Sequence, residues 1–223
     1  MEVLVTGGDT ELGRTVAEGF SAAGHKVTLT GMRGDELEVV AKELGANAVV
    51  CDNTDAESLL AARSLFPHHL DTIVNVPAPR WPAADPRTYS LPDLAAAWRN
   101  ALDATVLSAV LTVQTVGDHL RSGGSIVSVL PQNPRDGSAD AGIKAALANW
   151  TAGQAAVFGT RGITVNAVAS GIGVTPGYDG LTSTPPTMAA EIARLALFLA
   201  TPAARHITGQ TLHVSHGALT QFG

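Results

Sequence analysis

Short β-branched runs alternate with helix-like segments along the whole chain, and this alternation limits the fold more than any other feature. The runs begin at Glu2-Val3-Leu4-Val5, Lys26-Val27-Thr28-Leu29, Ala48-Val49-Val50-Cys51 and Thr72-Ile73-Val74. They continue at Ser125-Ile126-Val127-Ser128-Val129, Ile163-Thr164-Val165-Asn166 and Thr211-Leu212-His213-Val214. Helical spacing fills the intervals 11–23, 34–44, 55–66, 92–120, 138–159 and 187–200. Continuous apolar runs suit strands buried on both faces, and helices between them supply the crossovers that parallel strands need. The expected architecture is α/β: a doubly wound Rossmann-type sheet of about seven parallel strands flanked by helices, in one domain over 1–223.

Composition supports such a core and narrows the partners. The chain has 223 residues, 45% of them hydrophobic and 15% charged, with a net charge of -6. That excludes an intrinsically disordered chain. A mildly acidic surface without basic runs argues against nucleic-acid binding. Met1 leads into an apolar stretch with no basic segment, and no uncharged apolar window reaches membrane-spanning length. Neither a secretion signal nor a membrane partner is expected. The lone Cys51 permits no internal disulfide, which suits a reducing cytoplasm, and without a basic neighbour it reads as a small packed residue. The histidines fit no helical i,i+4 ligand pair with a carboxylate, so no metal is expected.

Two irregular stretches, 77–92 and 170–186, follow strands and should lie at the carboxyl edge of the sheet, where ligands bind in open α/β folds. The first turn is Thr6-Gly7-Gly8-Asp9-Thr10-Glu11-Leu12-Gly13. A glycine-rich strand-to-helix turn lets backbone N–H groups approach a pyrophosphate at a helix N-terminus, although a plain tight turn has the same composition.

The pattern Thr-Gly-x-x-x-Gly-x-Gly after the first strand resembles that of the short-chain dehydrogenase/reductase family. Four later segments resemble the same family. They are Cys51-Asp52-Asn53-Thr54-Asp55, Leu70-Asp71-Thr72-Ile73-Val74-Asn75, Arg161-Gly162-Ile163-Thr164-Val165-Asn166-Ala167-Val168 and Ile207-Thr208-Gly209-Gln210-Thr211-Leu212-His213-Val214. The resemblance implies a dinucleotide site formed by Gly7, Asp9, Thr10, Leu12, Gly13, Arg33, Asp52, Asn53, Asn75, Lys144, Gly171 and Thr175. It also implies a homodimer or homotetramer through the helices near 92–118 and 138–159, which carry Trp98 and Trp150.

The departures from the family pattern are as informative. Glu11 replaces the middle glycine, where a carboxylate would crowd the phosphates unless it swings away; Arg14 is placed to pair with it. Val76-Pro77-Ala78 follows Asn75 in place of Asn-Ala-Gly. At the tip of strand two, Thr30-Gly31-Met32-Arg33 lacks the acid that would bind the ribose of NAD. Arg33 there either meets a 2′-phosphate, which makes NADP the expected form, or is a solvated arginine at a helix start.

Of the family's catalytic positions, the lysine is retained as Lys144. The tyrosine four residues earlier is Asp140, the serine is Pro131 and the asparagine is Thr105. An ionised Asp140 cannot donate a proton to a carbonyl, and its i,i+4 spacing to Lys144 also fits a plain helical ion pair. Tyr178, in the stretch after strand six, is the candidate substitute phenol. Two functions follow from the resemblance. One is an NAD(P)-dependent oxidoreductase with altered proton transfer through Lys144, Asp140 and Tyr178. The other is an inactive relative that senses a nucleotide or partners an active subunit.

Overall fold

The structure is a computed structural model that describes residues 1–78, 89–130, 139–170 and 187–214. Seven strands form one sheet: β1 (Glu2–Val5), β2 (Lys26–Gly31), β3 (Asn47–Val50), β4 (Leu70–Asn75), β5 (Leu120–Leu130), β6 (Thr164–Ser170) and β7 (Thr211–Val214). Their order is β3-β2-β1-β4-β5-β6-β7, and every neighbouring pair is parallel. The chain winds outward from β1 to β3, then returns and winds the other way from β4. The crevice between β1 and β4 is therefore the topological switch point, where ligands of such sheets bind.

The alternation of side chains along each strand separates two cores. Val3 and Val5 of β1 point into one, and Leu4 points into the other; all three are fully buried. The first core is closed by α1 (Glu11–Ala22), α2 (Gly34–Leu44) and α7 (Met188–Leu199), through Val16, Phe20, Leu37 and Ile192. The second is closed by α3 (Ala56–Ala62) and α5 (Ser108–Val116), through Leu59, Val113 and Val116. Leu147 of α6 (Ala139–Gly159) packs beside them with Ala109 and Leu130. The buried face of α1 runs Gly13, Val16, Ala17, Phe20, the i, i+3, i+4, i+7 stripe of an amphipathic helix.

One expectation needs correction. The segment 92–120 is not a single helix. α4 (Leu91–Leu102) and α5 are joined by a π turn over Asp103–Leu107. The Ser108 N–H bonds to the Asp103 carbonyl across five residues, and the Ser108 hydroxyl donates to the Ala104 carbonyl at 2.7 Å. An inserted residue of this kind keeps every backbone group satisfied while it changes the direction of the side chains, and such turns recur at functional sites. From 104 to 116 the chain is buried on more than one side, and only Leu107 and Gln114 are exposed. α4 begins with a capping box between Ser90 and Asp93, with Pro92 in its first turn. Hydrogen bonds from Ser90 hold the Asp93 carboxyl below its ordinary pKa.

Candidate functional site

The site is built around the turn after β1. Thr6 ties this turn to the end of β4: its hydroxyl accepts the Val76 N–H at 2.9 Å and donates to the Val76 carbonyl at 3.1 Å. Gly7 has a φ of 63°, and a Cβ there would lie 2.7 Å from the Val76 oxygen. Thr10 caps α1: its hydroxyl accepts the Gly13 N–H at 3.1 Å and donates to the Gly7 carbonyl at 2.7 Å. A methyl on Gly13 would run into the Gly7 carbonyl, far inside contact distance. Gly7 and Gly13 thus have steric reasons to be glycine, and the turn lies flat against the sheet edge. A cradle with no room for a Cβ suits close approach of a pyrophosphate to backbone N–H groups.

The turn opens on a cavity of about 470 Å³. Gly7, Asp9 and Thr10 line it from one side, Arg33, Asp52 and Asn53 from the other. These six expected cofactor residues are therefore brought together. Leu12 packs against the first core instead, and Gly13 is buried beneath the turn. Asn75 is buried; its amide donates to the Ser128 hydroxyl at 3.3 Å, and its Oδ1 has no protein partner. Gly171 and Thr175 lie outside the described residues, as do Pro131 and Tyr178. Asp140 falls in the first turn of α6, with its side chain outside the described part.

Two expectations about the turn are corrected. The Glu11 side chain is exposed and faces the outer groove between α1 and α2, so it does not crowd the cavity. Its place at the first residue of a capped helix directs it outward, which leaves the cradle fit for a dinucleotide. Arg14 does not pair with Glu11. It reaches Glu18 at 2.9 Å, one turn along the same helix, and Glu43 of α2 at 2.7 Å.

The other polar residues of the cavity are fixed by their neighbours. Asp52 accepts the Thr54 N–H at 2.9 Å and the Thr54 hydroxyl at 2.6 Å. Asn53 accepts from Thr30 and donates to Thr112, both at 2.9 Å, and so anchors the end of β3 to β2 and α5. Cys51 is buried and its thiol is pushed up to about 11, chiefly by burial and then by Asp52, as fits an inert packing residue. Asp103 and Ser108, on either side of the π turn, also line the cavity. Sequence reading missed both, because nothing in Asp103-Ala104-Thr105-Val106-Leu107 marks a break in the helix. Thr105 is buried inside that turn.

Lys144 comes from α6 and does not line this cavity. It is half-buried, and burial holds its ammonium below the ordinary lysine pKa. His213 of β7 is its electrostatic neighbour. Burial lowers the His213 pKa, and the Lys144 charge lowers it further. His213 was missed in the sequence, since only the folded sheet places β7 beside α6. Among the described residues no group of three or more His, Cys, Asp or Glu side chains is placed to hold a metal ion. No helix among them is long and apolar enough to cross a membrane.

A parallel sheet with this strand order, a glycine cradle at its switch point and a cavity beyond it defines a Rossmann-type protein of the dinucleotide-binding class. A family model described as enoyl-(acyl carrier protein) reductase matches residues 9–218. The chain is 74% identical, over all 223 residues of both, to a Mycobacterium tuberculosis protein whose name assigns it provisionally to the oxidoreductases. It is 28% identical to a galactitol 2-dehydrogenase from Cereibacter sphaeroides, with 96% of this chain and 92% of that one covered. The crystal structure of an Escherichia coli hydroxysteroid dehydrogenase superposes with a TM-score of 0.78 at 27% identity, covering 97% of this chain and 95% of that one. The chain belongs to the short-chain dehydrogenase/reductase family of oxidoreductases.

Proposed function

We propose that the chain is an NAD(P)-dependent oxidoreductase that interconverts a carbonyl and an alcohol, with proton transfer altered from the family pattern. The observation that carries this reading is the glycine cradle, whose two outer glycines admit no Cβ and which opens on a cavity clear of the Glu11 side chain. Bound there, a nicotinamide dinucleotide would supply or accept the hydride. Gly7 and Thr10 would flank its pyrophosphate, which would meet the backbone N–H groups at the start of α1, and Asp52 and Asn53 would shape the far wall of the site. Lys144 would bind the nicotinamide ribose as an ammonium donor, the role the family gives its lysine. Tyr178 is the candidate that gives a proton to the carbonyl in reduction and takes it back from the alcohol in oxidation, and Asp140, four residues before Lys144, stands at the position of the family's tyrosine.

The relatives' names span a sugar alcohol, a steroid and an enoyl-(acyl carrier protein), so they assign no single substrate. A second reading, an inactive relative that senses the nucleotide or partners an active subunit, is favoured by Pro131, Asp140 and Thr105 at the family's catalytic positions. Titration calorimetry with NADH and NADPH, followed by turnover on a panel of ketones and alcohols, separates the two. Binding with hydride transfer supports the enzyme, binding without it supports the sensor, and no binding at millimolar dinucleotide removes the enzyme and the sensor and leaves the structural partner.

The same reading includes a homodimer or homotetramer. α4 presents Leu94, Trp98 and Leu102 to solvent along one stripe, and Trp98 lies against Gly142 of α6. The adjoining face of α6 exposes Ala145, Asn149, Ala152, Gly153, Ala156 and Val157 without a charge. Side chains this short allow two such helices to approach closely across an interface. Sedimentation should give a mass of two or four times 22.8 kDa. Asn149→Arg, which sets a long charged side chain on that face, should release monomers; a wild-type monomer would refute the assembly.

A further inference from the structure

The tip of β2 contains an anion supplied by the protein itself. Asp9 of the glycine-rich turn folds across to the start of α2, and its side chain is only 6% exposed. Its Oδ2 accepts the Met32 N–H at 3.3 Å, the Arg33 N–H at 3.1 Å and the Arg33 Nε–H at 3.3 Å. The Arg33 guanidinium also donates to the Asp9 carbonyl and lies 3.5 Å from Glu36. Arg33 is the N-cap residue of α2 but makes no side-chain cap of its own; Asp9 serves the end of that helix from a different loop. Gly31 makes the fit possible, because a Cβ there would fall 2.5 Å from Asp9 Oδ1. That oxygen is buried and has no hydrogen-bond partner. Asp9, Gly31 and Arg33 all line the cavity beside Gly7 and Thr10.

Two converging backbone N–H groups at a helix start, with a guanidinium beside them, are what a phosphate would use. Here a carboxylate already holds all three. We propose that Asp9 sets the dinucleotide preference of this protein, selecting the form with a free ribose 2′-hydroxyl, NAD(H), and rejecting the 2′-phosphate of NADP(H). The inference rests on the reading that a nicotinamide dinucleotide binds in this cavity. It runs against the expectation that Arg33 raises by itself. A 2′-phosphate arriving at the β2 tip would meet the Asp9 charge, and to reach Arg33 it would have to displace Asp9 from three donors. A 2′-hydroxyl brings no charge and can donate to a carboxylate there. Selection is thus achieved by repulsion of the wrong ligand as much as by attraction of the right one.

The test is equilibrium binding of NADH and NADPH, read by nucleotide fluorescence, with thermal melting of each variant to verify the fold. Wild type should bind NADH about 100-fold more tightly than NADPH. Asp9→Asn keeps the shape and one acceptor but removes the charge, and should narrow the ratio to about 10-fold or less. Asp9→Ala should free Arg33 and both N–H groups and make NADPH the tighter ligand. Adding Arg33→Ala to that variant should abolish the gain. Gly31→Ala leaves Asp9 in the chain but expels its carboxylate from the niche, and should shift the ratio in the same direction as Asp9→Ala. Wild-type protein that binds NADPH as tightly as NADH, or an unchanged ratio in both folded Asp9 variants, overturns the inference while leaving the dinucleotide site intact. Wild-type protein that binds neither nucleotide overturns the site and the inference together.

Discussion

Gly13→Ala is expected to lower stability by about 3 kcal/mol and to abolish dinucleotide binding. The added methyl has nowhere to go. It is directed at the Gly7 carbonyl, and Gly7 is itself pinned against the Val76 carbonyl with a positive φ. Neither neighbour is the free end of a flexible side chain; both are backbone, and the Thr10 hydroxyl ties the Gly7 carbonyl to the start of α1. Relief therefore requires α1 to move away from the sheet edge, which opens the contacts of Val16, Ala17 and Phe20 and deforms the cradle at once. For a domain of this size the loss should appear as a melting point lower by about 10 °C. Gly19→Ala is the control within the same helix. A Cβ there would meet Ala193 at 3.5 Å, an ordinary contact, and the helix gains from losing a flexible residue. That variant should melt at or above wild type and bind normally. If Gly13→Ala melts and binds like wild type, the tight turn is not what shapes the site.

The five inner strands could be read from the sequence because they are buried on both faces, so apolar runs alone mark them, whereas the edge strands β3 and β7 are mostly exposed or half-buried. Val3, Leu4 and Val5 show this most simply: three consecutive apolar residues serve two cores. The outer glycines of the first turn were legible for a related reason, since a flat approach of backbone to backbone leaves no alternative residue. What stayed hidden depends on contacts between distant segments. Asp9 was legible as a residue of the cofactor site, but its niche was not, because that exists only where Gly31, far along the chain, lacks a side chain. Arg33 looked like a cation open to a phosphate because its partner comes from another loop. The π turn carries no glycine or proline that would announce it, and it is held by the hydroxyl of Ser108, which is common in uninterrupted helices. Glu11 was read by position as an obstruction, whereas the direction of its side chain is set by the helix it begins.

Lys144→Met should weaken NADH binding about 10- to 100-fold, as expected for losing hydrogen bonds from a charged donor. It should reduce any hydride transfer by at least the same factor, while the unliganded protein melts close to wild type. The contrast follows from the environment of the lysine. Burial lowers the pKa of its ammonium, and burial and then the Lys144 charge lower that of His213. Methionine fills a similar volume without a charge to desolvate, so the unliganded fold should change little. Lys144→Arg sharpens the test. It restores the charge but replaces a compact ammonium with a broad planar fork, so it should recover only part of the binding. A folded Lys144→Met protein that binds NADH like wild type would separate Lys144 from the nucleotide and reduce it to a helix-surface residue.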